Sequence, residues 1–199
     1  AIAANAGWIP LLDFAYQGFG TDIETDAYCV RAFAQTGKAL FVCQSFSKNI
    51  GLYRERVGAL HVVVGNEDEA KRVTSQVKIA VRTNYSNPPA HGGAIVETVL
   101  GNADLRSTWI TEVTAMRERI HEVRDQFVRA LEAAGVGRDF SFLKEQKGMF
   151  SFTGLTKEQA IGLRQDHSIY IVDSGRINVA GITSKNLPRL VEVLKGTLS

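Results

Sequence analysis

The segment at 45–58 combines side chains that suit covalent amine chemistry and phosphate binding. It contains Ser45, Lys48 and Arg56, and it follows the apolar, β-prone run at 39–43. Because partial burial favours the neutral amine, Lys48 is a candidate nucleophile. Serine hydroxyls and an arginine fork suit a phosphate group. An amine beside a phosphate site is what pyridoxal phosphate requires, since the lysine holds the cofactor's aldehyde as a Schiff base.

The same spacing has two other interpretations. It fits an exposed loop with an ordinary lysine, because a serine three residues before a lysine is a frequent coincidence. Ser45 and Lys48 also match the SxxK of penicillin-recognising acyl enzymes, which require SDN and KTG elements as well. The sequence has no SDN, and its segment Lys195-Gly196-Thr197 has the wrong order. Acyl transfer is therefore much less favoured than pyridoxal chemistry.

Motifs along nearly the whole chain resemble the aspartate and aromatic aminotransferase subgroup of the fold-type I pyridoxal phosphate enzymes. They occur in the family's order: DFAYQGF (13–19), SFSKNIGLYRERVG (45–58), NYSNPPAHG (84–92), RDFSF with GMFSF (138–152) and SGRINVAGIT (174–183). The resemblance implies the C-terminal half of an aspartate-type subunit, since the family's glycine-serine-threonine phosphate loop, ring-stacking aromatic and substrate asparagine belong to the other half.

The resemblance also implies which residues bind the cofactor. Lys48 would hold the aldehyde and transfer the substrate's α-proton. Asp13 would pair with the pyridine nitrogen, and Tyr16 would hydrogen-bond the ring's phenolic oxygen. Ser45 and Arg56 would bind the phosphate. A carboxylate at that nitrogen is physically sensible, because a protonated ring withdraws electrons better when the α-proton leaves.

Three further residues are implied to contact the substrate. Arg176 would bind the α-carboxylate, and Arg82 would reach across a homodimer interface to the distal carboxylate of aspartate or glutamate. Phe150 would line the site. Simpler interpretations stay open: Asp13 can cap a turn, Arg82 can interact with a helix dipole, and Phe150 can pack in the core of a short strand.

The expected activity is therefore pyridoxal-phosphate-dependent transamination of L-aspartate with 2-oxoglutarate. Aromatic aminotransferases of the same subgroup keep both arginines and are the first alternative. The second is an inactive fragment that acts only as a folding or association module. That alternative rests on the absent phosphate loop and on strands at 8–13, 39–44 and 57–64, whose edges would need partners.

Hydrophobic patterns predict two domains of an α/β chain. Residues 1–115 are expected to form the C-terminal part of the cofactor-binding large domain, with a mostly parallel sheet flanked by helices. Residues 116–199 are expected to form a small α+β domain, and a long helix near 104–134 joins the two. Residues 1–7 are interpreted as the last turn of a helix. Strands are predicted at 8–12, 39–43, 57–64, 140–143, 149–152, 169–172 and 176–179, and the other helices at 22–35, 67–84, from 94, from 156 and at 186–198.

Composition excludes several classes of protein. A net charge of +2 over 199 residues gives no reason to expect nucleic acid or an anionic membrane as a partner. No run has the length and apolarity of a membrane-spanning helix. Cys29 and Cys43 provide neither a disulfide framework nor metal-ligand spacing, and both are interpreted as reduced packing residues of a cytoplasmic protein.

Overall fold

The computed structural model describes residues 7–198, so the helix end interpreted at 1–7 lies almost entirely outside the described residues. The chain divides into two compact units, Ala1–Val113 and Thr114–Ser199. Their boundary falls inside the long helix, near the position 115 expected from the sequence.

The first unit contains a three-stranded sheet with the order β1-β2-β3. Its strands are β1 (Leu11–Phe14), β2 (Leu40–Ser45) and β3 (Gly58–Val63). β1 runs parallel to β2, whereas β3 runs antiparallel to it. The loop at 46–57 contains no helix, so it returns the chain as a hairpin instead of a parallel crossover. The described strands are thus less parallel than the sequence predicted.

Among its described residues, four helices lie wholly in this unit. They are α1 (Ile23–Asp26), α2 (Tyr28–Ala34), α3 (Glu67–Asn84) and α4 (Ala90–Gly101). The helix predicted at 22–35 is divided into α1 and α2. The helix predicted at 67–84 has those bounds, because the Asn66 side chain accepts a hydrogen bond from the Glu69 amide and caps it.

Several apolar residues of this unit are exposed. Trp8 is 49% exposed, Leu11 in β1 is 63% exposed and Leu60 in β3 is 50% exposed. A continuous apolar run such as 8–12 is typical of a strand buried on both faces, but β1 is not buried on both faces in the described chain. β1 and β3 are the two edge strands of this sheet, and in the described chain neither has a further strand beside it.

The second unit consists of helices packed on a two-stranded sheet. The strands β4 (Phe150–Phe152) and β5 (Arg176–Asn178) pair antiparallel. The helices are the C-terminal part of α5 (Ala103–Ala134), then α6 (Lys157–His167) and α7 (Leu187–Leu198). One continuous apolar core joins them: Phe127, Val128, Leu131, Phe140, Leu143, Leu155, Leu163, Ile182, Val191 and Leu194.

Two predicted strands of this unit are absent from the described structure. Residues 141–143 belong instead to a 3-10 helix at Ser141–Glu145, which Phe140 precedes, because the Asp139 carboxylate accepts hydrogen bonds from both the amide and the hydroxyl of Ser141 and starts a turn. Residues 169–172 pair with no strand. They follow Ser168, which ends α6 in the left-handed conformation.

The outer edge of β4 is covered by one side chain. The Gln146 amide nitrogen Nε2 donates to the Phe152 carbonyl at 3.1 Å, and the Phe152 amide donates to Gln146 Oε1 at 2.9 Å. A side-chain amide thereby takes the place of a neighbouring strand's backbone amide.

None of the described helices is both long and apolar enough to cross a membrane. Both cysteines are free thiols. Cys43 is half-buried in β2, but Cys29 on α2 is exposed, so the interpretation of Cys29 as a packing residue is wrong.

Candidate active site

The carboxyl ends of β1 and β2 bring the predicted aspartate and lysine to one edge of the sheet. Asp13 lies opposite Cys43 in the parallel register. Ser45 is the last residue of β2, and Lys48 follows three residues later. Parallel strands place ligand-binding groups at this edge because their carboxyl ends coincide there. β1 ends at Phe14, as the joint use of Asp13 and Tyr16 required.

Asp13 also caps a turn, the simpler role that the sequence left open. Its Oδ1 accepts a hydrogen bond from the Ala15 amide at 3.2 Å. Oδ2 has no partner among the described residues, and the side chain is exposed. One carboxylate oxygen is therefore used to start the turn, and the other is available to a ligand.

Tyr16 and Lys48 lie in contact. The Lys48 Nζ atom is 4.9 Å from the centroid of the Tyr16 ring, within the range of a cation–π interaction. Lys48 is half-buried and Tyr16 is 38% exposed, so both remain open on one side. In the sequence α1, α2 and β2 lie between Tyr16 and Lys48, and the fold brings the two residues together.

Asn49 holds the loop after β2 in place. It is 1% exposed, its carbonyl accepts a hydrogen bond from Trp109 Nε1 at 2.6 Å, and its Nδ2 donates to the Gln17 carbonyl at 3.3 Å. The second bond links Asn49, next to Lys48, to Gln17, next to Tyr16. Asn49 Oδ1 is buried without a hydrogen-bond partner in the described structure. Sequence reasoning missed this residue, because its partners lie 32 and 60 positions away.

Asp26 fixes the turn that follows Tyr16. Its carboxylate accepts hydrogen bonds from the amides of Gly18, Gly20 and Thr21, at 2.8 to 2.9 Å. Gly18 has φ +95°, a conformation that residues with a Cβ rarely adopt. The glycines of the QGFG motif therefore shape the backbone after Tyr16. The sequence indicated the turn but not the carboxylate that binds it.

Ser45 and Arg56 lie at the same end of the β2–β3 hairpin. Ser45 pairs with Gly58 across the strands, and Arg56 precedes Gly58 by two residues. The Ser45 hydroxyl accepts a hydrogen bond from the Ser47 amide at 3.2 Å. Arg56 is exposed, donates to the Tyr53 carbonyl at 2.9 Å and has φ +50°. The Ser45 hydroxyl and the Arg56 guanidinium therefore both belong to this end of the hairpin. The backbone of Arg56 has a conformation that is unusual for arginine.

Arg82 does not join this group within the described chain. It lies in the last turn of α3, is exposed, and donates from Nη1 to the Ser86 hydroxyl at 2.6 Å. Ser86 is in the left-handed region with φ +70°. This contact orients the guanidinium at the helix end, where the dipole also favours a cation.

In the second unit, Arg176 and Phe150 stack. The Arg176 Cζ atom is 4.7 Å from the centroid of the Phe150 ring. In the β4–β5 register Phe152 is the residue opposite Arg176, and Phe150 is its diagonal neighbour. All three side chains therefore stand on one face of the sheet. Arg176 is exposed and Phe150 half-buried, so the ring supports the guanidinium and leaves its edge accessible.

The turn before Arg176 requires glycine. Gly175 has φ +74°, and a Cβ there would lie 2.7 Å from the Leu155 carbonyl oxygen. Thr153 secures this turn, because both its amide and its hydroxyl donate to the Gly175 carbonyl, at 3.1 and 2.8 Å. This packing gives a physical reason for the Ser-Gly-Arg order in the SGRINVAG motif.

His121 lies on α5, and its side chain is partly buried. Its Nε2 is buried and has no hydrogen-bond partner in the described structure. Burial lowers the pKa of His121, and the neighbouring cations Arg124, Arg117 and Lys147 lower it further, against a smaller opposing effect of Asp125. The neutral imidazole is therefore favoured in the folded chain.

Comparison with known proteins defines the class to which this fold and site belong. The profile of the family "Aminotransferase class I and II" matches residues 1–194. The chain therefore belongs to the class I and II aminotransferases, and the predicted fold-type I class is confirmed.

Two curated relatives are aspartate aminotransferases. The chain is 51% identical over 197 residues to that of Escherichia coli, covering 99% of this chain and 50% of the relative. It is 54% identical over 192 residues to that of Haemophilus influenzae, covering 96% and 48%. The chain thus spans about half the length of the curated relatives it matches.

A solved structure of similar fold is the aromatic-amino-acid aminotransferase of Burkholderia pseudomallei covalently bound to pyridoxal phosphate. It matches with a TM-score of 0.92 and 50% sequence identity, covering 96% of this chain and 48% of the other. Aspartate and aromatic enzymes are therefore both represented among the close relatives.

Proposed function

We propose that this chain forms part of a pyridoxal-phosphate-dependent aminotransferase that acts on L-aspartate and 2-oxoglutarate, giving oxaloacetate and L-glutamate. The observation that carries the proposal is the contact between the Lys48 amine and the Tyr16 ring, at the sheet edge where Asp13 lies. Membership of the aminotransferase family supports it.

The chemistry of the donor set fits the cofactor group by group. Lys48 suits the aldehyde, Asp13 the ring nitrogen and Tyr16 the phenolic oxygen. Ser45 and Arg56 suit the phosphate, since a guanidinium binds phosphate oxygens through several N–H donors. All five residues belong to the first unit. The Burkholderia pseudomallei relative binds the same cofactor covalently.

When bound, pyridoxal phosphate supplies an electron sink for the negative charge that develops at the substrate's Cα. Lys48 would hold the group through its aldehyde until the substrate's amine displaces the Nζ amine, and the freed Nζ would then take the proton from Cα and hold it for return. Asp13 would keep the ring nitrogen protonated through its carboxylate. The Tyr16 hydroxyl would donate a hydrogen bond to the ring oxygen and help to fix the ring's orientation.

Substrate recognition is assigned to two arginines. The Arg176 guanidinium, supported by Phe150, binds the α-carboxylate as a bidentate fork. Arg82 binds the distal carboxylate in a site of the partner subunit of a homodimer. Its exposure and its anchoring by Ser86 are compatible with that role. Two cationic forks favour a dicarboxylic amino acid.

Aromatic amino acids are the second candidate substrates, favoured by the 50% identity to the Burkholderia pseudomallei enzyme. The two candidates are separated by measuring kcat/KM for aspartate and for phenylalanine, with 2-oxoglutarate as acceptor, in a subunit of full family length. We expect aspartate to be preferred. Preference for phenylalanine would select the aromatic alternative, and no transamination of either would refute the proposed function.

Free thiols at Cys29 and Cys43 support action in a reducing compartment, the cytoplasm.

A further inference from the structure

Arg124 is an arginine buried in the second unit. It is 2% exposed, and it lies one turn before Phe127 and Val128 of the apolar core. Burial lowers the pKa of its guanidinium, and the neighbouring Asp125 only partly opposes this effect. Removing a guanidinium from water is unfavourable unless its N–H groups find partners, so such a residue needs a structural or functional reason.

The partners of Arg124 lie in and directly before β4. Its Nε donates to the Ser151 hydroxyl at 3.2 Å, and its Nη2 donates to the Gly148 carbonyl. Ser151 is itself 1% exposed and lies in the middle of β4. The rigid, planar guanidinium of Arg124 therefore fixes both Gly148, just before β4, and Ser151, in the middle of the strand.

The face opposite Arg124 carries the substrate-binding pair. Successive residues of a strand point to opposite faces, so Ser151 points toward the buried α5 side while Phe150 and Phe152 point away from it. The Phe150 ring lies under the Arg176 guanidinium. Any shift of Ser151 is passed through the backbone to Phe150, and from there to Arg176.

We infer that Arg124 is a positioning residue for the substrate carboxylate site: it anchors β4 from the buried side and thereby sets the place of Phe150 and Arg176. The inference rests on the proposed function in that Arg176 binds the substrate. Arg124 itself touches neither substrate nor cofactor in this assignment. A lysine could not replace it fully, because an ammonium lacks the fork that reaches both acceptors.

The test uses the holoenzyme of full family length and four variants. Arg124→Met removes the guanidinium at similar side-chain length, Arg124→Lys keeps the charge, and Ser151→Ala removes one acceptor. Arg129→Met is the matched control, since Arg129 lies on the same helix but is exposed, and its ion pair and hydrogen bond in the described structure are both with Asp125. The measurements are kcat and KM for aspartate, succinate binding by calorimetry, and the ¹⁹F resonance of 4-fluorophenylalanine placed at 150.

We expect Arg124→Met to raise KM and the succinate Kd about 10-fold, with kcat within about threefold, because a misplaced Arg176 loses binding shared by ground and transition states. Arg124→Lys should recover part of this loss, and Ser151→Ala should raise both constants about threefold. The ¹⁹F resonance should shift in Arg124→Met and Ser151→Ala. Arg129→Met should match the wild type in every measurement.

Two results would overturn the inference. One is a loss of thermal stability in Arg124→Met or Ser151→Ala with unchanged KM, succinate Kd and ¹⁹F resonance, which would assign Arg124 to the core alone. The other is an equal effect of Arg129→Met. If Arg124→Met does not fold, Ser151→Ala and Arg124→Lys decide by the same measurements. If the wild type neither transaminates nor binds succinate, the proposed function fails. The ¹⁹F comparison then still decides whether Arg124 holds Phe150.

Discussion

Lys48 Nζ lies 4.9 Å from the centre of the Tyr16 ring. A hydrogen bond between their sequence neighbours holds the two segments together. Asn49, next to Lys48, donates a hydrogen bond to the carbonyl of Gln17, next to Tyr16. Amine and phenol are therefore held together by contacts within the protein itself. Preorganisation of this kind reduces the loss of freedom that binding requires.

Replacing Lys48 by alanine should abolish the proposed transamination, since no other group would hold the cofactor's aldehyde and transfer the α-proton. We expect a fall in kcat of about 10³-fold or more. The bound cofactor should also lose the visible absorption of its covalent link to the protein. Lys78→Ala, an exposed lysine on α3, is the control. Intact absorption in Lys48→Ala would exclude the assignment.

Replacing Arg82 by leucine should separate the two substrate classes. We expect kcat/KM for aspartate to fall about 100-fold or more, because the distal carboxylate loses a charge-assisted hydrogen bond. Turnover of phenylalanine should change much less. The measurement is kcat/KM for both donors, with Arg72→Leu on the exposed surface of α3 as control. Equal losses for both donors would argue against the distal-carboxylate role.

Replacing Trp109 by phenylalanine should loosen the Lys48 loop. The change removes the Nε1 donor to the carbonyl of the buried Asn49. Leaving that acceptor unpaired should cost about 1–3 kcal/mol of unfolding free energy and weaken binding of pyridoxal phosphate. Urea unfolding and cofactor titration measure the two effects. Trp8→Phe is the control because Trp8 is half exposed, and equal behaviour of both variants would contradict the anchoring role.

Stability should fall on acidification through His121. Its pKa is lowered in the folded chain, so the unfolded chain binds the proton more readily. The contribution of His121 is fully present above the unfolded value, about 6.5, and is lost as the pH falls below it toward the folded pKa. The urea midpoint should therefore drop between pH 7.5 and pH 5.5.

His121→Gln is the variant that tests this pH dependence, and it should make the drop smaller. His91→Gln is the control, because it makes the same side-chain change at an exposed position. An unchanged drop in His121→Gln would show that other groups cause it.

Residues 1–199 expressed alone should self-associate or fail to fold, and should lack transaminase activity. Leu11 and Leu60 on the two edge strands are at least half exposed, and apolar strand edges favour pairing with other chains. A domain is only about 5–15 kcal/mol stable, so a few unpaired buried groups at about 1–3 kcal/mol each would unfold it. Sedimentation and an activity assay provide the check. A stable, active monomer would contradict this expectation.

Helices were predictable from the sequence where local signals determine them. α3 and α5 have nearly the predicted bounds, since Asn66 caps one and a sustained apolar period of three and four residues marks the other. Strands were less predictable, because the apolar run at 140–143 lies within an Asp139-initiated turn and 3-10 helix. Local apolarity favours burial but does not determine strand pairing, because pairing depends on residues far along the chain.

The residues proposed for the site could be named from motifs, but their supports could not. Asn49 and Arg124 bond to groups more than twenty positions away, and Asp26 binds three amides of the turn after Tyr16. No spacing rule connects these three residues to Tyr16, Lys48 or Arg176. The contact between Arg176 and Phe150 was likewise not predicted, because strand register determines it and two short strands carry no register signal of their own.

The Gln146 amide has a consequence for how the small sheet meets other molecules. Because it saturates the outward N–H and C=O of Phe152, β4 offers no open ladder to a foreign strand at that position. Gln146 thereby blocks pairing of a further strand at Phe152, and it does so without the charges or prolines that exposed edges often carry. A foreign strand could pair at that position only by displacing this side chain.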